Sequence, residues 1–143
     1  MDPDTLGGLI KWMRAKGLKR TRTRVAILNA MSGPHVLFSI DDLVDRINAR
    51  EARPHDWSTV YRCLQKFEER GLVSVSQLGD GTNRYELDYD SEHHHHILCE
   101  DCGRVDPVHT CLSRAHFQQV SGLGYQNIRH RLEFVGRCKS CQN

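Results

Sequence analysis

EHHHHILCEDC, residues 92–102, sets four consecutive histidines ahead of a short apolar step and a Cys-x-x-Cys pair, Cys99 and Cys102. A second pair, Cys138 and Cys141, follows near the C-terminal end of the sequence. Each tight Cys-x-x-Cys turn offers two thiolates to one point, and two such knuckles complete a closed, tetrahedral structural zinc site. The interval between the knuckles exceeds that of a simple zinc ribbon, so a helix and strands are expected inside it. Two disulfides or a redox pair are the competing readings. The first calls for a secretory context and the second for a βαβ setting, and neither pattern accompanies these cysteines.

The histidines ask for their own explanation. If residues 92–98 form a strand, His93 and His95 face one side and His94 and His96 the other. Two metal sites could then draw on opposite faces of one strand. A tag remnant would sit at a terminus rather than against a thiolate knuckle.

The preceding half has a different character. Residues 1–85 hold 14 Lys/Arg against 10 Asp/Glu, whereas residues 86–143 hold 6 against 8 and contain seven of the nine histidines. A basic half followed by a His/Cys half suggests a binder followed by a sensor. No membrane-spanning run and no signal peptide are expected, and six cysteines without a secretory pattern suggest a reducing cytoplasm.

Apolar spacing predicts a helix from Leu6 to Lys16 closed by Gly17, and a second from Thr21 or Thr23 to Met31. Lys16, Lys19, Arg20, Arg22 and Arg24 crowd the entry to the second and suggest phosphate contact. Ser39 caps a third helix, Ile40 to about Ala49, and residues 50–57 read as a turn. Ser58 opens the fourth, STVYRCLQKFEERG. There Val60, Cys63, Leu64 and Phe67 form the inward stripe, with Ser58, Arg62, Gln65 and Glu69 opposite, flanked by Thr59, Tyr61 and Lys66. Such a polar face suits base and phosphate contact. Cys63 reads as a small core residue. Alternating runs at residues 72–78 and 83–87, joined by Gly79-Asp80-Gly81, predict a hairpin. The expected class is therefore α+β: a winged helix-turn-helix over residues 1–87, an acidic hinge at 88–92, and a small α/β domain over 93–143. In the last, strands are expected near Arg104–Val108 and Tyr125–Val135, and a helix near Cys111–Val120.

Several motifs together resemble the ferric uptake regulator family of metal-dependent repressors: the basic run Lys19–Arg24, SIDDL (39–43), STVYRCL (58–64), RYEL (84–87), HHHHILCEDCGRV (93–105) and CKSC (138–141). The resemblance covers nearly the whole chain. It implies a homodimer, joined through the second domain, that binds an AT-rich inverted repeat of double-stranded DNA when a divalent metal is loaded. It places structural Zn(II) on Cys99, Cys102, Cys138 and Cys141. Regulatory metal, Fe(II) or Zn(II) with Mn(II) also a candidate, falls on Glu86, His94 and His96. A further site would use His93, His95 and His130. Base contacts fall on Tyr61 and Arg62 beside Ser58 and Thr59, a minor-groove contact on Lys19 and a phosphate contact on Arg24.

The chain departs from the family pattern at three ligands. Leu37 stands where a histidine is usual, with His35 the nearest substitute for the regulatory site. Pro107 stands where a carboxylate is usual, with Asp106 one residue early and also a candidate for the second-domain site. Ser113 or Arg114 stands where the carboxylate joining His93 and His95 belongs, with His109, Cys111 or His116 as substitutes. A constitutive DNA-binding protein with purely structural metals is the alternative function. A peroxide sensor is another, although Glu86 stands where such members typically carry Asp. A zinc enzyme fits least, because four thiolates leave zinc no open position.

Overall fold

The computed structural model describes residues 5–33, 37–89 and 93–142. The chain separates into two compact units, residues 1–91 and 92–143. His35, proposed above as a ligand, lies outside the described residues, as do Asp90, Ser91 and Glu92 of the expected hinge.

In the first unit, α1 (Leu6–Ala15), α2 (Arg22–Met31), α3 (Ile40–Asn48) and α4 (Trp57–Glu69) are followed by β1 (Val73–Gln77) and β2 (Asn83–Leu87). The caps come from the sequence. Thr21 Oγ1 accepts from the Arg24 amide, and Ser39 and Asp42 form a reciprocal capping box at α3. Gly17 follows α1 with φ +87°, and a Cβ there would stand 2.9 Å from Arg70 Nη1. Leu9, Met13, Ile27, Leu28, Leu43, Val60, Leu64, Phe67 and Leu72 are the fully buried side chains around which the helices close. Ser39→Ala should cost about 1 kcal/mol by leaving the first turn of α3 without its acceptor; urea melting of the full chain measures it.

β1 and β2 pair antiparallel, with Val73 opposite Leu87 and Gln77 opposite Asn83. Gly79 and Gly81 turn the hairpin at positive φ, and Arg84 grips Asp80 at 2.6 Å across the tip. Residue 38, not assigned to any strand from sequence, adds a bridge: Phe38 and Tyr85 exchange backbone hydrogen bonds of 3.0 and 2.8 Å. The four helices and hairpin make a winged helix.

The second unit is a three-stranded sheet in the order β4 (Val105–Val108), β3 (His95–Cys99), β5 (Glu133–Gly136), with α5 (Arg114–Ser121) between β4 and β5 in the chain. β3 runs antiparallel to β4 and parallel to β5. Three expectations need correction. The histidine strand, expected over residues 92–98, runs from His95 to Cys99, so His93 and His94 precede it. The helix begins at Arg114 rather than Cys111, because Ser113 and His116 form a capping box there and Cys111 is drawn elsewhere. The last strand begins at Glu133 rather than Tyr125, because the preceding segment is irregular and delivers His130 to the sheet face. Few apolar side chains are buried: Leu98 and Cys99 are, while Leu123, Tyr125 and Val135 are largely exposed. So small a core needs outside support.

Candidate metal centres and nucleic-acid interface

Two hairpin-like knuckles bring four sulfurs together. At the first, Gly103, at φ +76°, lets its amide reach the Cys99 carbonyl at 2.9 Å. At the second, the short 3₁₀ turn Lys139–Cys141 is closed by Cys141 N donating to the Cys138 carbonyl at 3.0 Å. Arg137 and Asp101, one on each knuckle, are paired at 2.6 Å. The Sγ atoms of Cys99, Cys102, Cys138 and Cys141 lie within 4.8 Å of one another, and Cys102 and Cys138 stand 3.7 Å apart. A tetrahedral zinc with Zn–S bonds of 2.3 Å sets its sulfurs ~3.8 Å apart, whereas a disulfide needs ~2.05 Å. All six cysteines are free thiols.

Charge in this cluster is unevenly shared. Backbone N–H groups of Cys138 and Cys102 hold the Cys99 thiol down at about 6. Cys141, hydrogen-bonded to the Cys138 and Cys102 sulfurs, is pushed up to about 12. A first thiolate opposes a second, and a divalent cation among them removes that opposition. The donor set fits structural zinc.

A second cluster lies on one face of β3. His95 opens β3 and His93 lies two residues before it on the same side, with ring centroids 4.6 Å apart. His130, from the irregular segment before β5, brings its Nε2 to 3.2 Å from His93 Nε2 and 3.3 Å from His95 Nε2. Cys111 Sγ completes the group at 3.4 Å from His93 Nε2 and 3.3 Å from both His95 and His130 Nε2. Burial, then the neighbouring His93 and His130, push His95 below the ordinary imidazole range, which favours the neutral ring a cation requires. Of the substitutes named from sequence, Cys111 is the one at this cluster. His116 is occupied as the capping partner of Ser113, and Asp106 is held by Arg104 at 2.8 Å.

His96, on the opposite face of β3, pairs with His94 just before the strand, ring centroids 4.8 Å apart, and His109 lies 5.8 Å from His94. Glu86 belongs to the first unit, on β2 opposite Ser74.

On α4, Val60, Leu64 and Phe67 face the core and Cys63 packs partly against it, leaving Ser58, Arg62 and Gln65 exposed and Thr59 and Tyr61 half-buried. Trp57, assigned to the preceding turn from sequence, is the first residue of this helix. Its ring stacks on Tyr61 at 5.4 Å and 9°, and its Nε1 donates to Asp41 at 3.0 Å. Gln65 donates to the Tyr61 hydroxyl at 3.1 Å. Tyr61 is thus clamped between two neighbours.

The basic cluster before α2 is less uniform than its composition suggests. Lys19 and Arg20 are exposed. Arg22 instead donates to Glu51 and to the Arg53 carbonyl, both at 3.0 Å, where Glu51 also pairs with the buried His55. Arg24 donates to the Lys19 carbonyl at 2.8 Å and lies beside Cys63. Both guanidiniums therefore have internal work, tying the α3–α4 loop and the Lys19 turn to α2.

The sequence profile of the Ferric uptake regulator family matches residues 15–135. The peroxide-responsive repressor PerR of Staphylococcus aureus is 28% identical over 132 residues, spanning 92% of this chain and 87% of the relative. The ferric uptake regulator Fur of Helicobacter pylori, whose structure is described as revealing three functional metal binding sites, is 26% identical. It aligns with TM-score 0.72 over 97% of this chain and 95% of its own. A zinc uptake regulator complexed with zinc and DNA is 25% identical, with TM-score 0.65 over 95% of this chain and 91% of its own. The match runs from the end of α1 through the winged helix, the histidine strand and the first knuckle. The chain belongs to the ferric uptake regulator family and is a metal-responsive transcriptional regulator.

Proposed function

We propose that this regulator represses transcription as a homodimer on an AT-rich inverted repeat, and that Glu86, His94 and His96 hold the cation that switches it on. The observation that supports this reading is the pairing of the histidine rings at the entry to β3, His94 with His96 and His93 with His95. The family resemblance assigns the His94 and His96 pair to a site with a carboxylate from the winged-helix unit, and the other pair to a site within the second unit.

A bound divalent cation supplies a crosslink between its ligands. Glu86 sits on the last wing strand and His94 and His96 at the start of the following unit, so ligands drawn from both would fix the angle between the reading heads of a dimer. That angle sets half-site spacing. A preference for one angle worth ~1–3 kcal/mol changes DNA affinity by about 5–150-fold. Imidazole and carboxylate donors suit Fe(II), Zn(II) and Mn(II) alike, so the cellular supply selects among them. The second-unit histidines His93, His95 and His130 form a further site. The exposed apolar side chains Leu123, Tyr125 and Val135 support association with a second copy.

Likeness to PerR favours a peroxide response as the second reading, and Glu86 in place of Asp favours the first. Anisotropy of a labelled AT-rich inverted repeat, titrated with protein in metal and then in chelator, tests the proposal. Tighter binding in metal by at least fivefold is expected; equal binding would favour the constitutive alternative. In the same assay Arg62→Ala should lose about 1–3 kcal/mol and relax base preference, because a bidentate guanidinium contact is worth that much. Lys19→Ala should weaken all sequences alike and flatten the salt dependence. An Arg62→Ala protein as tight as the parent at matched salt would remove α4 from the major groove.

A further inference from the structure

We infer that Cys111 is the metal-specificity determinant of the second-unit site. It would make His93, His95, His130 and Cys111 a closed three-imidazole, one-thiolate centre for a borderline-soft divalent cation of the zinc class rather than for iron or manganese. The inference rests on the reading of His93, His95 and His130 as a metal site and adds the ligand that decides what it holds.

The geometry is that of a coordination tetrahedron. A cation with Zn–N bonds near 2.05 Å and a Zn–S bond near 2.3 Å sets its nitrogens ~3.3 Å apart and each nitrogen ~3.6 Å from the sulfur. Two of the nitrogen–nitrogen edges here are 3.2 and 3.3 Å. The three nitrogen–sulfur edges are 3.3, 3.3 and 3.4 Å. All three rings present the same atom, Nε2.

Hydrogen bonding does not explain this packing. A neutral imidazole carries one N–H and a thiol one S–H, and each points at one acceptor. Five close contacts among three Nε2 atoms and one sulfur exceed what those four protons can bridge singly.

Donor chemistry then sets the choice of cation. Carboxylates suit hard cations such as manganese, while thiolate favours zinc and disfavours them. Four ligands at tetrahedral spacing also leave no open position, so the site would hold its metal rather than process a substrate. The Cys111 proton leaves to solvent as the thiolate binds. The chain would thus keep two zinc-class centres in its second unit, and exchangeable metal would be confined to Glu86, His94 and His96.

The test is a Co(II) titration of the full-length protein already carrying one zinc in the four-cysteine site, followed in the ultraviolet and visible. A thiolate-to-cobalt charge-transfer band with intense tetrahedral ligand-field absorption is expected, saturating at one equivalent and bleached by added zinc. Cys111→Ser should lose the charge-transfer band while keeping the first zinc. Cys111→Asp should bind cobalt without that band and narrow the preference for zinc over manganese at least tenfold. Charge transfer that survives in Cys111→Ser, or cobalt bound in the parent without it, would overturn the role of Cys111 and leave the three histidines standing as a site. Loss of all cobalt absorption in His94→Ala but none in His93→Ala would overturn the site itself.

Discussion

Cys99→Ser should release the zinc of the four-cysteine site and collapse the second unit, whereas Cys63→Ser should retain both. The reason is the size of the contributions. Leu98 and Cys99 are the buried apolar or sulfur-bearing residues of the β3 end that meets the knuckles, while Val135 and Phe134 of the neighbouring strand remain exposed. So little apolar burial supplies only a few kcal/mol at ~25 cal/mol per Å². Zinc held by four thiolates contributes ~10–16 kcal/mol at neutral pH in small zinc domains. Cys99 is also the most deeply connected of the four: its amide donates to the Arg104 carbonyl, and its sulfur accepts from the Cys138 amide at 3.3 Å. Serine would replace a thiolate with a poor zinc ligand and leave the other three sulfurs without a fourth donor. Zinc content by atomic emission and far-ultraviolet circular dichroism of the full-length variant measure both effects. One equivalent of zinc retained after Cys99→Ser would sink the four-cysteine assignment.

The second large effect separates the two faces of one strand. His94→Ala should abolish metal-stimulated operator binding, a loss of about 5–150-fold at saturating metal. The four-cysteine zinc should be untouched, because those ligands lie beyond Leu98 on separate knuckles. His93→Ala removes a ligand from the opposite face, beside His130 at 3.2 Å, and should weaken the second unit while preserving the metal response. Operator affinity over a metal titration, with zinc content and oligomer mass checked in parallel, distinguishes them. Identical responses from the two variants would show that strand parity does not separate switching from structure.

Much of this was legible before any coordinates because the rules involved are local. Ser39 three residues before Asp42 is a capping box by composition alone, and the structure makes both bonds. The ring pairs His93–His95 and His94–His96 form as alternation suggested, although the strand itself opens only at His95. What stayed hidden depends on partners far apart in the chain. Cys111 could be named only as one of three substitutes, because its selection depends on where an irregular segment places His130. Arg22 and Arg24 look like free cations in a list of residues. Their internal acceptors, Glu51, the Arg53 carbonyl and the Lys19 carbonyl, come from a loop and a turn whose paths no periodicity reports. Pro54 makes residues 50–57 read as a turn, but Asp56 is the N-cap residue and Trp57 stacks on Tyr61 one turn later. Apolar content beyond residue 125 suggested a long strand, yet those side chains are exposed, and the ladder with β3 begins at Glu133.

The central claim is that metal at Glu86, His94 and His96 and operator DNA bind cooperatively, and thermodynamic linkage gives it a direct measurement. Because coupling is reciprocal, operator DNA must tighten the metal by the same factor that metal tightens DNA. Calorimetric titration of Mn(II) or Fe(II) into full-length, zinc-loaded protein, alone and on its operator, measures that factor. The switching mechanism predicts a metal affinity raised by DNA to match the anisotropy result, and no such increase in His94→Ala. A metal affinity indifferent to the presence of operator would contradict it.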